Sequence, residues 1–302
     1  MHIPDQMLNG AICHVTAAVS VAGVASAAIL ATKSKERPAS LNFAATTSLL
    51  FAAQMLNFPV LHGTSGHLLG TTLAVSLLGI PFGILAMAFV LTIQSLAFAD
   101  GGLTVLGANV FNMVLAGAVP GIILHSLIKR KKLQNSWTKN ISLFAASWLS
   151  VILASLFCSV ELGIAGTVGF GRVLPAMLGI HSLIGIGEGV ITVMLFSLLY
   201  NPAVTRSKQI SFGLPLIAAG VMALILSPFA SAFPDGLEWV AGKYSFLQES
   251  APYFVSPMAD YAVPFVSHPQ LSTGIAGIVG AALTFAVVYL TGRLLERKYR
   301  EV

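Results

Sequence analysis

The sequence predicts an all-α, polytopic membrane helix bundle, and three observations carry that expectation. Hydrophobic residues make up 56% of the 302-residue chain and charged residues only 9%, where soluble domains carry about a quarter charged residues. Mean hydropathy is +0.86. The apolar residues fall into about nine runs near the length a bilayer demands. Nearly all Lys and Arg stand in clusters at the ends of those runs, as cytoplasmic loops require. The net charge of +5 therefore reports topology: its distribution argues against nucleic acid and makes the lipid bilayer the expected partner. With no basic stretch before the first apolar run, no cleavable signal is expected.

The first segment runs from about Ala11 to Ala31 and ends in Lys33-Ser34-Lys35-Glu36-Arg37. The second, about Ser40 to Val60, leads to the loop Leu61-His62-Gly63-Thr64-Ser65-Gly66-His67. Leu68 to Ala99 is too long for one span, and Gly79, Pro81 and Gly83 divide it into a short third segment and a fourth. The short third is expected either to cross or to form a re-entrant hairpin. After Asp100-Gly101-Gly102, a fifth segment covers about Val105 to Ile128 and closes on Lys129-Arg130-Lys131-Lys132. The sixth spans about Ile141 to Val160, and the seventh about Val173 to Tyr200, with Arg206 and Lys208 beyond it. An eighth covers about Ile210 to Ala230. A polar, aromatic loop from Ser231 to Gln270 precedes the ninth, about Leu271 to Thr291, and the tail Arg293 to Arg300 is basic.

Threading these alternately across the bilayer puts every basic cluster on the cytoplasmic side, the carboxyl end included, and the amino end outside. The His62–His67 loop, Glu161 and the Pro234–Gln270 loop share the outer face with the amino end. Residues 1–205 are expected to form a seven-segment core, and 206–302 an appendage of two segments with an outer loop. Cys13 and Cys158 lack CxxC spacing and are expected to pack as small buried thiols.

The opening Met1-His2-Ile3-Pro4-Asp5 carries the chemistry. A second-position histidine brings three nitrogens to one ion: the Met1 α-amine, the His2 amide and the His2 imidazole. Together they close a five- and a six-membered chelate ring and leave one corner of a plane open. Nitrogen donors in a tetragonal plane suit Ni(II) and Cu(II), and Co(II) less well. A fourth nitrogen can come from the loop on the same outer face, where His67, behind Gly63-Thr64-Ser65-Gly66, would complete the plane. His62 is the rival ligand and His14 a weaker one, while Asn57 and Ser65 are candidate supports for the ligands. His181 and Glu188, seven apart on the seventh segment, share a helix face. An intramembrane carboxylate is costly and often functional; bonding across the bundle to Asn109, Asn112 or Gln94 is the favoured role for Glu188. Asp235 and Glu238 read as acids of a solvated loop, and Trp239, Tyr244, Tyr253 and Tyr261 as an aromatic belt or packed outer cap.

Four blocks, MHIPDQML, LNFPVLHGTSGHLLG, DGGLTVLGANVFNM and GIHSLIGIGEGVIT, resemble the CbiM/NikM family. These are the substrate-specific membrane components of energy-coupling-factor (ECF) transporters for cobalt and nickel. The resemblance covers roughly the first two hundred residues and is more specific than any single motif. It implies a metal held by the terminal amine, the second-position histidine and the histidine of GTSGH, here Met1, His2 and His67. Phe233-Pro234-Asp235-Gly236-Leu237-Glu238 resembles the PDGLE domain, akin to the small two-segment auxiliary subunits of such transporters. One departure stands out: the family often has Asp-Gly or Glu-Gly at positions five and six, where this chain has Asp5-Gln6.

The function expected is therefore capture of Ni2+ or Co2+ as cargo, without enzymatic activity or cofactor. The chain has no GxxxxGK[ST] phosphate loop. The resemblance implies a transmembrane coupling subunit and two cytoplasmic ATPase subunits as the source of energy. The alternative, a stand-alone secondary transporter or channel, would want a chain of intramembrane ionisable groups, and only Glu188 lies deep. An intramembrane metalloprotease is disfavoured by the missing HExxH. A plane of nitrogens leans toward nickel; a fifth ligand would erase that preference.

Overall fold

The computed structural model describes residues 1–130, 135–200, 212–247 and 254–300. Lys131, Lys132, Arg206, Lys208, Tyr253 and the expected boundary at 205–206 lie outside them. The polytopic helical membrane bundle expected from composition is what forms. Helices α1 (Ala11–Lys33), α2 (Ser40–Gln54), α3 (Thr71–Leu78) and α4 (Ile80–Phe98) are followed by α5 (Leu106–Lys129), α6 (Ser136–Ile164) and α7 (Phe170–Leu199). Then come α8 (Gly213–Phe229), the short α9 (Gly236–Lys243) and α10 (Pro269–Arg300). Among the described residues six of these, α1, α4, α5, α6, α7 and α10, are long and apolar enough to cross a bilayer; α2, α3 and α8 are shorter.

The two ends of the bundle differ chemically. At one end Lys129 Nζ pairs with Glu36 at 2.9 Å, Arg37 Nη1 donates to the Leu295 carbonyl, and the Ser40 N–H donates to Glu296. The amino terminus, the His67 loop, Asp100 and Asp235 gather at the other. The short third segment runs between the two: it leaves the His67 end, and Ser76 to Pro81 line a cavity with Lys35, Arg37 and Lys129. Eight helical residues rise only about 12 Å; the non-helical residues 67–70 ahead of α3 make up distance, since extended backbone gains about 3.3 Å per residue.

Irregular backbone inside a membrane protein must find partners within the protein, and two buried side chains provide them. Glu188 on α7 accepts the Leu69 N–H at 2.6 Å and the Gly70 N–H at 3.0 Å. Gln54, ending α2, donates to the Leu69 carbonyl at 2.7 Å. Glu188 therefore does bond across the bundle, but to backbone amides. Of the three partners expected for it, Asn109 bonds Ile3 and Asn112 bonds Glu161 instead, and Gln94 makes no hydrogen bond to it. In α5 the helix widens into a π-turn over Val110–Ala116, a feature that often marks functional sites.

The appendage is not detached. Its helix α10 packs along α2, where Ser48 Oγ donates to the Ala281 carbonyl at 2.8 Å. Both cysteines are free thiols, Cys158 fully buried and Cys13 half-buried.

Candidate metal centre

The first three residues are buried, and complementary backbone bonds hold them there. The Ile3 N–H donates to Asn109 Oδ1 at 2.8 Å, Asn109 Nδ2 returns a bond to the Ile3 carbonyl at 3.0 Å, and the Gly102 N–H donates to that same carbonyl at 2.8 Å. Asp5 Oδ1 accepts from the Thr104 N–H and hydroxyl at 2.8 and 2.5 Å. The Asp100-Gly101-Gly102 run is glycine-rich for a steric reason. A Cβ on Gly101 (φ +87°) would press on Asn109 and His2, and one on Gly102 would enter the Asp5 backbone. Gln6 turns the chain with φ +68°, the left-handed region that glycine reaches without strain.

This docking sets the Met1 amine between two groups from distant parts of the chain. Its nitrogen lies 2.7 Å from His67 Nε2 and 2.5 Å from Asp235 Oδ2. The His2 and His67 rings stack nearly parallel, 4° apart with centroids 5.1 Å apart. His67 Nδ1 donates to the Leu68 carbonyl at 3.1 Å, which leaves the Nε2 lone pair for the amine. His2 Nδ1 bonds Asp100 Oδ1 at 2.8 Å, and its buried Nε2 has no partner. Tyr261 steadies Asp100 from behind through a 2.6 Å hydroxyl bond to Oδ2.

Burial, and then the neighbouring ammonium, push the His67 imidazole down to about 3, so the ring is neutral near pH 7. Burial alone would raise Asp235 and Asp100; the terminal ammonium and His67 beside Asp235, and His2 beside Asp100, instead hold both below the usual carboxylate range. A buried charge is tolerated only when paired and hydrogen-bonded, and here each is.

Asp235 arrives by an ordered route. The Ser65 N–H and hydroxyl donate to the Pro234 and Phe233 carbonyls at 2.8 and 2.7 Å, and Ser65 forms a parallel bridge with Asp235. Asp235 also caps α9: Oδ1 accepts the Leu237 and Glu238 N–H groups while Glu238 returns a bond to the Asp235 N–H, a reciprocal capping box. One oxygen holds the helix and the other holds the amine. Gly236 is packed against His181, where a Cβ would sit 2.8 Å from Cε1.

Two cavities meet at this centre, both touching His67 and Asp235. The outer one, of ≈ 420 Å³, is lined by loop residues including His2, Asp100, Asp235, Glu238 and Asp260. The inner one, of only ≈ 10 Å³, lies between Met1, His67, Asp235, His181, Leu69 and Ile184, among other residues. That space is about that of one water or one bare ion.

The structure thus brings Met1, His2 and His67 together and leaves His62 out. His62 is exposed at φ +64°, its ring 6.5 Å from that of Trp239, whose Nε1 donates to the His62 carbonyl. His14 faces outward from α1. Ser65 secures the Phe233–Asp235 strand. Asn57 lines the outer cavity, its carbonyl accepting the Ser231 N–H at 2.8 Å. Among the described residues no group of three or more His, Cys, Asp and Glu side chains stands ready to hold a metal, and the donor set expected here draws half its nitrogens from the backbone.

A model of the cobalt uptake substrate-specific transmembrane region, CbiM, matches residues 2–206. The chain belongs to the CbiM family. A PDGLE-domain model matches residues 211–297 of this CbiM-family chain. A NikMN protein of Archaeoglobus fulgidus is 36% identical over 97% of this chain and 98% of its own length. The fused nickel transport protein NikMN of Rhodobacter capsulatus is 26% identical over the same shares, 97% and 98%. Among solved structures, a truncated transition metal transporter superposes with a TM-score of 0.58 at 31% identity, covering 66% of this chain and 98% of that one.

Three residues at the centre escaped the sequence reading. Asp235 was expected in solvent, yet its side chain is 14% exposed; its position as an N-cap one residue before Gly236 was the available signal. Asp100 could have been found from the two glycines after it, which mark a close backbone approach. Asn109 was assigned to Glu188 and instead grips Ile3.

Proposed function

We propose that this chain is the substrate-binding membrane component of an energy-coupling-factor importer for Ni2+ or Co2+. The four donors are the Met1 amine, the His2 amide, the His2 imidazole and His67 Nε2. The observation that carries this reading is the buried Met1 nitrogen 2.7 Å from His67 Nε2, with the His2 ring stacked alongside. On loading, the ammonium leaves its ion pair with Asp235 and loses a proton, the His2 amide loses another, and the His2 ring proton moves from Nδ1 to Nε2 as Nδ1 turns from Asp100 toward the ion. The acidic outer cavity gathers the cation, and the amino end faces outward, with the basic end of the bundle in the cytoplasm. The CbiM-like core of residues 1–205 holds the ion, while the PDGLE-like residues 206–302 deliver Asp235 to the amine. Transport then depends on a coupling subunit and two ATPases, in keeping with the chain's lack of a phosphate-binding loop.

The test is calorimetry of Ni(II) and Co(II) binding to the full chain and to two variants. His67→Ala, and insertion of Gln-Gln between Met1 and His2, should each weaken binding at least about 100-fold, the equivalent of about 2.7 kcal/mol. Two residues are inserted because one would create a third-position histidine, which chelates with four nitrogens by itself. Wild-type affinity in either variant would refute the site.

A further inference from the structure

His181 has a nitrogen with nothing to bind. The ring is 1% exposed, its Nδ1 donates to the Met177 carbonyl at 2.8 Å one turn back on α7, and its Nε2 is buried without a partner. In the neutral ring that donation leaves a lone pair on Nε2. The His181 ring lines the inner, ion-sized cavity together with Met1, His67 and Asp235. His67 shows the same division of labour, Nδ1 to a backbone carbonyl and Nε2 to the shared space. Histidines that bind metal generally donate their second N–H in this way, which fixes tautomer and ring direction. A buried acceptor left unmatched is destabilising, and a cation bound at His181 Nε2 would remove that cost.

The geometry points to His181 Nε2 as a fifth metal-binding nitrogen, on the membrane side of the four-nitrogen plane, that selects for cobalt. This rests on the four-donor site proposed above. Four nitrogens in a plane leave only apical positions, and the inner cavity provides one. Low-spin Ni(II), with eight d electrons, fills the orbital that points along that axis and gains little from an apical donor. Low-spin Co(II), with seven, has one electron there and takes a fifth ligand readily. His181 therefore raises Co(II) affinity with little effect on Ni(II). It also gives the ion its first contact inward of the plane, toward the α7 turn that carries Glu188.

The experiment is electron paramagnetic resonance of Co(II) bound anaerobically to the full chain, with calorimetry of both ions on wild type and His181→Gln. Gln is a polar replacement of similar length that removes both imidazole nitrogens. Wild type should give a low-spin signal split into three lines by one apical 14N, and into two after labelling with 15N-histidine. His181→Gln should lose the splitting and bind Co(II) about 10–100-fold more weakly, the scale set by metal-site supports, with Ni(II) affinity changed by less than about threefold. A low-spin signal without apical splitting, or splitting that persists in His181→Gln, would overturn the role of His181 alone. A high-spin wild-type signal would overturn the nitrogen plane itself and the fifth ligand with it.

Discussion

Asn109 offers a test of the site that touches no proposed metal donor. Replacing it with alanine removes two bonds to Ile3, at 2.8 and 3.0 Å. The Ile3 carbonyl keeps its bond from Gly102, so one buried group, the Ile3 N–H, is orphaned. That orphan costs about 1–3 kcal/mol, and the lost donor from Asn109 a further fraction. About 2–3 kcal/mol of docking energy is at stake. A binding site populated only when the terminus is docked loses affinity in proportion to the undocked fraction. Asn109→Ala should therefore raise the Ni(II) Kd by up to about 30- to 150-fold. Calorimetry on the full chain measures this, and acylation of the terminal amine without metal gives an independent readout: the buried amine of wild type should react slowly and that of Asn109→Ala several-fold faster. Unchanged affinity together with unchanged acylation would refute the claim that Asn109 holds the terminus in place.

Three further outcomes follow from the same geometry. Glu188→Gln should lower the melting temperature and weaken metal binding, because an amide presents only one acceptor to the Leu69 and Gly70 N–H groups and turns its own N–H toward the other; a variant that stays stable but loses only ion translocation would instead place Glu188 in a cation path. Gln6→Gly should tighten docking by up to about 1 kcal/mol, since φ +68° costs a side-chain-bearing residue about 1–2 kcal/mol and glycine gives part of that back in chain entropy; slower amine acylation is the readout, and faster acylation would contradict it. Ni(II) binding should strengthen as pH rises, releasing about two protons per ion, one from the ammonium and one from the His2 amide. His67 contributes none near neutrality, because its imidazole is already held neutral. Calorimetry in buffers of different ionisation enthalpy counts the protons, and a count of one or none would exclude amide coordination.

The fold was legible where the signal was collective. Hydropathy, basic clusters and glycine breaks located the long helices to within about five residues, because a bilayer imposes length and charge placement on every span; the exception is α10, which continues past Thr291 through the basic tail to Arg300. The third segment was harder: its eight helical residues look too short until the non-helical residues ahead of it are counted, and the Glu188 and Gln54 bonds that make them tolerable are long-range. At the site, Met1 and His2 could be named because their donor atoms are fixed by residue type and position at the amino end, whereas His67 was separated from His62 through the family resemblance of its GTSGH loop. Asp235 and Asp100 were missed because an acid in a loop looks alike whether it faces water or a buried partner, and only the N-cap position of one and the two glycines after the other hinted at burial. His62 and His67, five apart in one loop, differ in outcome only through backbone: His62 takes a positive φ onto Trp239, while the β-bridge of Ser65 to Asp235 carries His67 inward.

The most direct measurement of the central claim is nickel K-edge X-ray absorption on the full chain loaded with one equivalent of Ni(II). Four short nitrogen scatterers with a square-planar edge, lost on His67→Ala, are the expected result. Six oxygen-dominated scatterers, or a spectrum indifferent to His67, would show that the buried amine and its histidine neighbours do not hold the ion.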